Sequence, residues 1–361
     1  MQGGDARRLA RVLTRPMRFL FATRDGGGNV LPMLAIARQT PSAGIACAYA
    51  EDVLSELSSV DEIQSRVTRP AASWTARFAA PTDSSYVRLT PEIIAGMQQL
   101  ALEQRRRLGP RAPWHVGDVA WGLRQHEGRE PEWTFRLWRD GDRVVAWSWL
   151  KRDRGLLEYD LHPGYRHLLD EIVDEPDAKE AIAFEDDDEA RAILARHGYT
   201  KPTRAIHFNH RDVPEAPTPP HLPDGFRYRT VDPEDLAQRV AIHRDVWEPS
   251  RVTESSYRNV MAEWPYRRSL DCVVEAPDGR FASYVLVWPD DENGVGLFEP
   301  VGTRAEFRRR GLGAAVCTFG LRRLHEEGMR RAAVGCDTEP ACSLYESLGF
   351  RRSWTITSYA R

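Results

Sequence analysis

Cysteine is scarce and unpatterned. Cys47, Cys272, Cys317, Cys336 and Cys342 are an odd set of five with no C-x2-C spacing and no histidine partner at zinc-site spacing, which speaks against a disulfide framework or a zinc module and reads as reduced thiols. Long apolar runs are missing as well. Every such stretch is broken by Arg, Asp or Gly well before about 18 residues, too short for a membrane-spanning helix. The amino-terminal segment carries Arg7, Arg8, Arg11 and Arg15 but no apolar core ending in a small-residue cleavage site, so no secretory leader is expected and a cytoplasmic address follows. Positive charge is not in excess: 50 Lys and Arg face 53 Asp and Glu, a formal charge of −3. No global positive field is available to hold nucleic acid or an anionic membrane.

What remains is ordinary globular material. At roughly 150 residues per domain, 361 residues make about two domains, and 42% apolar with 29% charged residues is enough for packed cores. The clearest boundary lies at 213–224, where Pro214, Pro217, Pro219, Pro220 and Pro223 fall within ten residues. That density excludes a helix or a central strand and reads as a stiff, extended connector.

The segments on either side of it repeat. Thr90-Pro91-Glu92 overlays Asp232-Pro233-Glu234 at an offset of 142, and His162–Arg166 falls on Arg304–Arg308 at the same offset. Ala190–Tyr199 (ARAILARHGY) overlays Ala341–Phe350 (ACSLYESLGF) at 151. Each half therefore carries the same order of elements. In the second half, a helix is expected from about Pro233 after Asp232 as N-cap. Strands at 269–275, 280–288 and 295–301 are separated by the turns Pro277-Asp278-Gly279 and Glu292-Asn293-Gly294, an antiparallel meander. A helix over 311–328 stopping at Gly328, a strand over 331–336, a helix over 340–348 and a strand over 353–359 complete an α/β module.

The sharpest signal is Arg308-Arg309-Arg310-Gly311-Leu312-Gly313-Ala314, between a strand and an amphipathic helix. A glycine turn at a helix N-terminus offers unpaired amides and the positive end of the helix dipole, and both suit a pyrophosphate. The bland alternative is a basic helix cap whose glycines serve packing. The wider context, Leu297–Ala314 (LFEPVGTRAEFRRRGLGA) followed about 30 residues later by ACSLYESLGF, resembles the GNAT superfamily of acyl-CoA N-acetyltransferases. In that family R-x-x-G-x-G/A is the coenzyme loop and L-Y-x-x-x-G-F marks the last helix and turn. The resemblance spans about 226–361. It implies acetyl-CoA as co-substrate with no metal, pantetheine contacts from Val301, Gly302 and Thr303, and a pyrophosphate cradle from Arg308 and Arg309 through Arg310, Gly311, Leu312 and Gly313 to Ala314. Two departures stand out: Ala305 replaces the usual Pro, and Thr338, a further coenzyme contact by position, replaces a frequent Asn.

The chemistry then gives roles to the rest. An alkylammonium with a pKa near 10.4 is only about one part in a thousand neutral at pH 7, and only the neutral amine attacks a thioester. Glu299 is the candidate base, acting directly or through water once burial raises its pKa; the alternative is a salt-bridging strand-end carboxylate. Tyr345 holds the position of the family's general acid. A phenol near pKa 10 does not fully protonate a thiolate near 8.5, so hydrogen-bond stabilisation is the expected contribution; the alternative is a half-buried helical tyrosine. Trp247, Ser250, Arg251, Tyr257 and Trp288 are candidate acceptor-binding residues, although aromatics at such spacing also fill cores.

The first half fails the same test. At the 142 offset Leu169 replaces Gly311 and Glu171 replaces Gly313; at 151, Leu194 replaces Tyr345. The run 170–189 holds eleven carboxylates against Lys179, a poor place for an anionic coenzyme. Met17–Ala37 reads as strand, glycine-rich loop and helix, a stretch that also resembles the opening of two-domain glycosyltransferases, within an otherwise vestigial or disordered extension.

The resulting expectation is an α/β (α+β) chain of two tandem GNAT-like modules, each a mixed, mostly antiparallel sheet flanked by helices. Residues 1–80 are an extension, 85–212 a degenerate module, 213–224 a linker and 225–361 the acetyltransferase module. The expected activity is acetyl transfer from acetyl-CoA to a primary amine of a small molecule by direct attack, in a monomer or homodimer without nucleic-acid or membrane partners. A non-catalytic acyl-CoA-binding or regulatory module is the alternative.

Overall fold

The computed structural model describes residues 9–14, 17–22 and 83–361 and divides into two units, Met1–Ala80 and Pro81–Arg361. In the first, β1 (Leu9–Thr14) and β2 (Met17–Ala22) pair antiparallel, with Thr14 opposite Met17. The strand expected at the start of Met17–Ala37 is present; the glycine-rich loop and helix expected after it lie outside the described residues.

The second unit is built on one sheet. Its amino-terminal half runs β3 (Asp83–Val87), α1 (Pro91–Leu108), α2 (Val116–Arg124), β4 (Trp133–Asp140), β5 (Arg143–Lys151), β6 (Leu156–Leu161), α3 (Leu169–Val173), β7 (Glu180–Phe184), α4 (Asp188–Arg196) and β8 (Lys201–Asp212). Its carboxy-terminal half repeats the order with β9 (Arg227–Thr230), α5 (Leu236–Val246), α6 (Glu254–Ala262), β10 (Asp271–Glu275), β11 (Phe281–Asp290), β12 (Val295–Thr303), α7 (Leu312–Glu326), β13 (Arg331–Cys336), α8 (Glu339–Ser347) and β14 (Arg351–Ala360). Local chemistry sets the boundaries. Thr90 caps α1 by accepting from the Ile93 amide, with Pro91 in the first turn. The turn between β10 and β11 is made by Gly279 at φ 84°, a left-handed conformation that a side chain would strain.

The twelve strands lie in the order β3-β4-β5-β6-β7-β14-β8-β13-β12-β11-β10-β9. All neighbours are antiparallel except β6 with β7 and β12 with β13. Read outward from the centre, the order is the same in both directions, and the central strands are the last of each half. Strand β14 lies between β7 and β8, and β8 lies between β14 and β13, with Arg351 opposite His210 and Ala360 opposite Lys201. Each half thus borrows its neighbour's terminal strand to cover its own fifth strand. The proline-rich segment between β8 and β9 is held on the carboxy-terminal half. The Val213 amide donates to the Arg330 carbonyl at 2.8 Å, and the Tyr228 hydroxyl donates to the Pro220 carbonyl at 2.7 Å.

Packing follows the same division and also crosses it. One core, with Phe298, Val316, Leu321 and Phe350, sits between α7, α8 and the sheet; another, with Leu150, Ile172 and Leu194, lies in the amino-terminal half. A third joins the halves: Ala120 and Trp121 of α2 pack with Val240, Tyr257, Trp288 and Leu297. Gly117 makes this approach possible, because a Cβ there would sit 2.3 Å from Trp288. Beside this core, Arg239 and Asp271 form a fully buried ion pair at 2.9 Å, the guanidinium lying over the rings of Tyr257 and Tyr284 at 4.8 and 4.1 Å. Among the described residues no helix is long and apolar enough to cross a membrane.

Two outcomes follow. Because β8 and β14 belong to both halves, residues 81–361 should unfold in a single calorimetric transition, and deleting 351–361 should destabilise both halves together; two separable transitions would contradict the shared sheet. Asp271→Ala, which strands a buried guanidinium, should cost about 3–5 kcal/mol in denaturant unfolding.

Candidate active site

Strands β12 and β13 pair only from Val295 opposite Arg331 to Leu297 opposite Ala333 and then part. Beyond Leu297, Val301, Gly302 and Thr303 pair with β11 on one side and, among the described residues, with no strand on the other. Gly311 follows at φ 76° as the N-cap of α7, and no side chain caps that helix. The first amides of a fifteen-residue helix are therefore left for a ligand. Arg309 also takes a left-handed φ of 60°, which turns the chain tightly into the helix. A groove of about 300 Å³ lies here, lined by Thr303, Phe307, Arg308, Gly311, Gly313 and Leu344 among others. Arg308, Arg309 and Arg310 are exposed at its rim. The Arg308 Nε donates to the Thr303 carbonyl at 3.2 Å, and Arg310 lies over the Phe307 ring at 5.7 Å. Leu312 is buried beneath the turn, Val301 is half-buried, and Thr338 is exposed as the N-cap of α8.

Glu299 stands where the strands part, and Tyr345 lies within its electrostatic reach. Glu299 is held by its backbone, whose carbonyl accepts from the Trp288 indole at 2.7 Å. Burial, then the negative charge of Asp118 and a hydrogen bond with it, push the Glu299 carboxyl well above the usual carboxylate range. Tyr345 is buried, and burial, with smaller contributions from Cys317 and Glu299, raises its hydroxyl well above the ordinary phenol value, so it stays a donor. The proposed acceptor residues part company. Trp247 is 51% exposed, with its indole donating to the Tyr284 hydroxyl at 2.8 Å. Ser250 accepts from the Val252 amide, and Arg251 is exposed near Glu132 at 3.4 Å. Tyr257 and Trp288 are fully buried, the Tyr257 hydroxyl donating to Asp271 at 2.5 Å, so they shape the wall from behind.

Three residues of this site come from the other half and carry no motif. Asp118 on α2, Lys151 at the end of β5 and Glu158 on β6 all act on Glu299 electrostatically, and Lys151 pairs with Glu158 at 2.5 Å. The corresponding opening in the amino-terminal half is closed. Strands β6 and β7 also pair over only two positions, but the Trp114 indole donates to the Tyr159 carbonyl at 2.8 Å. Tyr159 is the counterpart of Val301 at the 142 offset. Helix α3 has only five residues and carries Asp170 and Glu171 in its first turn, the wrong charge for an anion.

The thiols need a correction. Cys336 and Cys342, read as reduced from their spacing, form a disulfide between the end of β13 and the first turn of α8, with Cα atoms 5.4 Å apart. The strand-to-helix turn brings them together, which a six-residue separation without a motif does not reveal. Cys272 and Cys317 are free and buried.

Residues 239–350 match the model of the acetyltransferase (GNAT) family. Over that stretch the carboxy-terminal half is a GNAT-family acetyltransferase domain. Curated relatives are named mycothiol acetyltransferase. That of Saccharomonospora viridis is 25% identical, over 58% of this chain and 74% of the relative. That of Thermobispora bispora is 28% identical over 62% and 81%, and that of Catenulispora acidiphila 31% over 45% and 55%. Among solved structures, a tandem GNAT protein from the clavulanic acid biosynthesis pathway superposes with a TM-score of 0.54 at 18% identity, covering 77% of this chain and 98% of that one. A GCN5-related N-acetyltransferase from Sphaerobacter thermophilus gives 0.53 at 17%, covering 78% and 96%. The tandem GNAT fold is thus shared with solved proteins, and the chain is an acetyl-transferring enzyme.

Thiol titration of the denatured protein should release two further thiols on reduction, from Cys336 and Cys342. An unchanged count would remove the disulfide.

Proposed function

We propose that the carboxy-terminal GNAT module transfers the acetyl group of acetyl-CoA to a primary amine of a small molecule by direct attack, in the cytoplasm. The observation that carries this reading is the uncapped α7 N-terminus behind Gly311, opening beside the parted edge of β12 that bears Glu299, with Tyr345 within electrostatic reach. Gly311, Leu312, Gly313 and Ala314 present backbone amides to the pyrophosphate, with Arg308, Arg309 and Arg310 adding positive charge. Gly313 faces the groove between Thr303 and Leu344. Val301, Gly302 and Thr303 offer the edge along which the pantetheine amides bond, and Thr338 stands at the far rim.

The acceptor enters past Trp247, Ser250 and Arg251. Its nitrogen forms a bond to the thioester carbonyl carbon, Glu299 takes the proton released from nitrogen, and the carbon–sulfur bond breaks. Tyr345 donates a hydrogen bond to the departing thiolate, and a protonated phenol in a buried setting suits that role. The carboxyl groups around the acceptor position favour a cationic amine. The name carried by the curated relatives places mycothiol chemistry on the panel of acceptors to be tried.

The test is coenzyme-thiol release from acetyl-CoA against a panel of amines. Glu299→Gln should lower turnover by about 10²–10⁴-fold and Tyr345→Phe by about 10²-fold, each leaving acetyl-CoA affinity within a few-fold. Acetyl-CoA binding without turnover of any amine, unchanged by either substitution, would favour a non-catalytic acyl-CoA-binding or regulatory module.

A further inference from the structure

The amino-terminal half has its own opening plugged by Trp114, yet it places the N-terminus of α2 against the strands that carry the site. Gly117 lets α2 close onto Trp288, the residue whose indole holds the Glu299 carbonyl. The next residue, Asp118, is fixed by a capping box: its Oδ2 accepts from the His115 amide at 2.6 Å, and His115 Nδ1 accepts from the Gly117 amide at 3.0 Å. So anchored, Asp118 meets Glu299 side chain to side chain. Two ionised carboxylates are acceptors only, so a hydrogen bond between them requires one proton.

We propose that Asp118 is a positioning residue for Glu299: the two carboxyls, one from each half, share a single proton, and the amino-terminal half thereby sets the pH at which the base of the carboxy-terminal half becomes free. The inference rests on Glu299 being that base. The groups that face Glu299 are Asp118 from α2, Lys151 from β5, Glu158 from β6 and Tyr345 from α8, and those that face Asp118 include Arg105 from α1, which favours its ionised form, and Glu158, which opposes it. Lys151 favours ionisation, but it is paired to Glu158, which opposes it. The balance is left to Asp118. With rising pH the shared proton passes to solvent. Glu299 then accepts the proton released by the attacking nitrogen, and that proton occupies the same bridge until it too leaves.

Both carboxyls titrate above their ordinary values, so activity should be lost as pH falls through a raised limb. Asp118→Asn removes the negative charge and lets an amide N–H donate to Glu299, which favours the ionised form and should move the acid limb of kcat/KM down by about one pH unit or more. Acetyl-CoA affinity should be unchanged. A purely structural role would lower activity equally at all pH values and leave the limb in place, overturning the proposal. Infrared difference titration supplies a readout independent of turnover. Burial lifts Asp160 to about 7, so it contributes a carboxylic-acid C=O band to every protein; at pH 7 the wild type should carry additional band intensity that is lost in both Asp118→Asn and Glu299→Gln. Retention of that additional intensity in Asp118→Asn overturns the pair. If Asp118→Asn does not fold, absence of a wild-type band relative to Glu299→Gln overturns it equally. A band that behaves as stated in a protein that acetylates no amine would sink the enzymatic reading and leave the pair standing.

Discussion

The antiparallel pairing of β8 with β14 is the constraint on which the second unit depends. A strand buried in mid-sheet must have both edges bonded, because an unpaired buried amide or carbonyl costs about as much as a lost hydrogen bond. Strand β7 meets this requirement through β14 and β13 through β8, so neither half closes its sheet alone. The two repeats are therefore continuous in hydrogen bonding although they are separated in sequence by a proline-rich segment. The shared sheet also holds α2 of one half in register with β11 and β12 of the other, and this is what allows a residue of the first repeat to reach the site of the second.

Duplication has left one fold with two electrostatic outcomes. In both halves the strand pair corresponding to β12 and β13 parts after a short parallel stretch. In the carboxy-terminal half the gap leads to a long helix whose first amides are uncapped and whose entry is made by glycines. In the other, Trp114 supplies an internal donor to the exposed carbonyl, and the following helix is a turn and a half with carboxylates at its positive end. The amino-terminal half instead forms a wall, from which Asp118, Lys151 and Glu158 act electrostatically on Glu299 of the other half.

The two faces of the carboxy-terminal half divide labour. Cys317, Tyr345 and Phe350 pack in the core beneath α7 and α8, under the groove at Gly311. Arg239, Asp271, Tyr257 and Tyr284 form a buried polar cluster behind the acceptor side, anchoring α5 and α6 to β10 and β11. Trp247 is tied to that cluster through the Tyr284 hydroxyl while much of its ring stays exposed, as an acceptor wall requires. The disulfide between Cys336 and Cys342 joins β13 to α8 on the groove side.

Local signals determined much by themselves. The alternation of β-branched and aromatic residues, the Asp-Gly and Asn-Gly turns and the glycine-opened helix at Gly311 sufficed to order β10 to β14 with α5, α7 and α8 and to single out the turn, because each signal is carried by residues close together in the chain; β9 and α6 gave no such signal, and Tyr345 was reached through the family resemblance. The offset between repeats likewise exposed Leu169 and Glu171 as misfits. Tertiary structure alone decided the exchange of terminal strands, the Cys336–Cys342 bond, the burial of Tyr257 and Trp288, and the approach of Asp118, Lys151 and Glu158 to Glu299. The disulfide depends on how the turn between β13 and α8 is folded, and the rest on which strand lies beside which, where pairing partners more than a hundred residues apart leave no periodicity in the sequence that joins them.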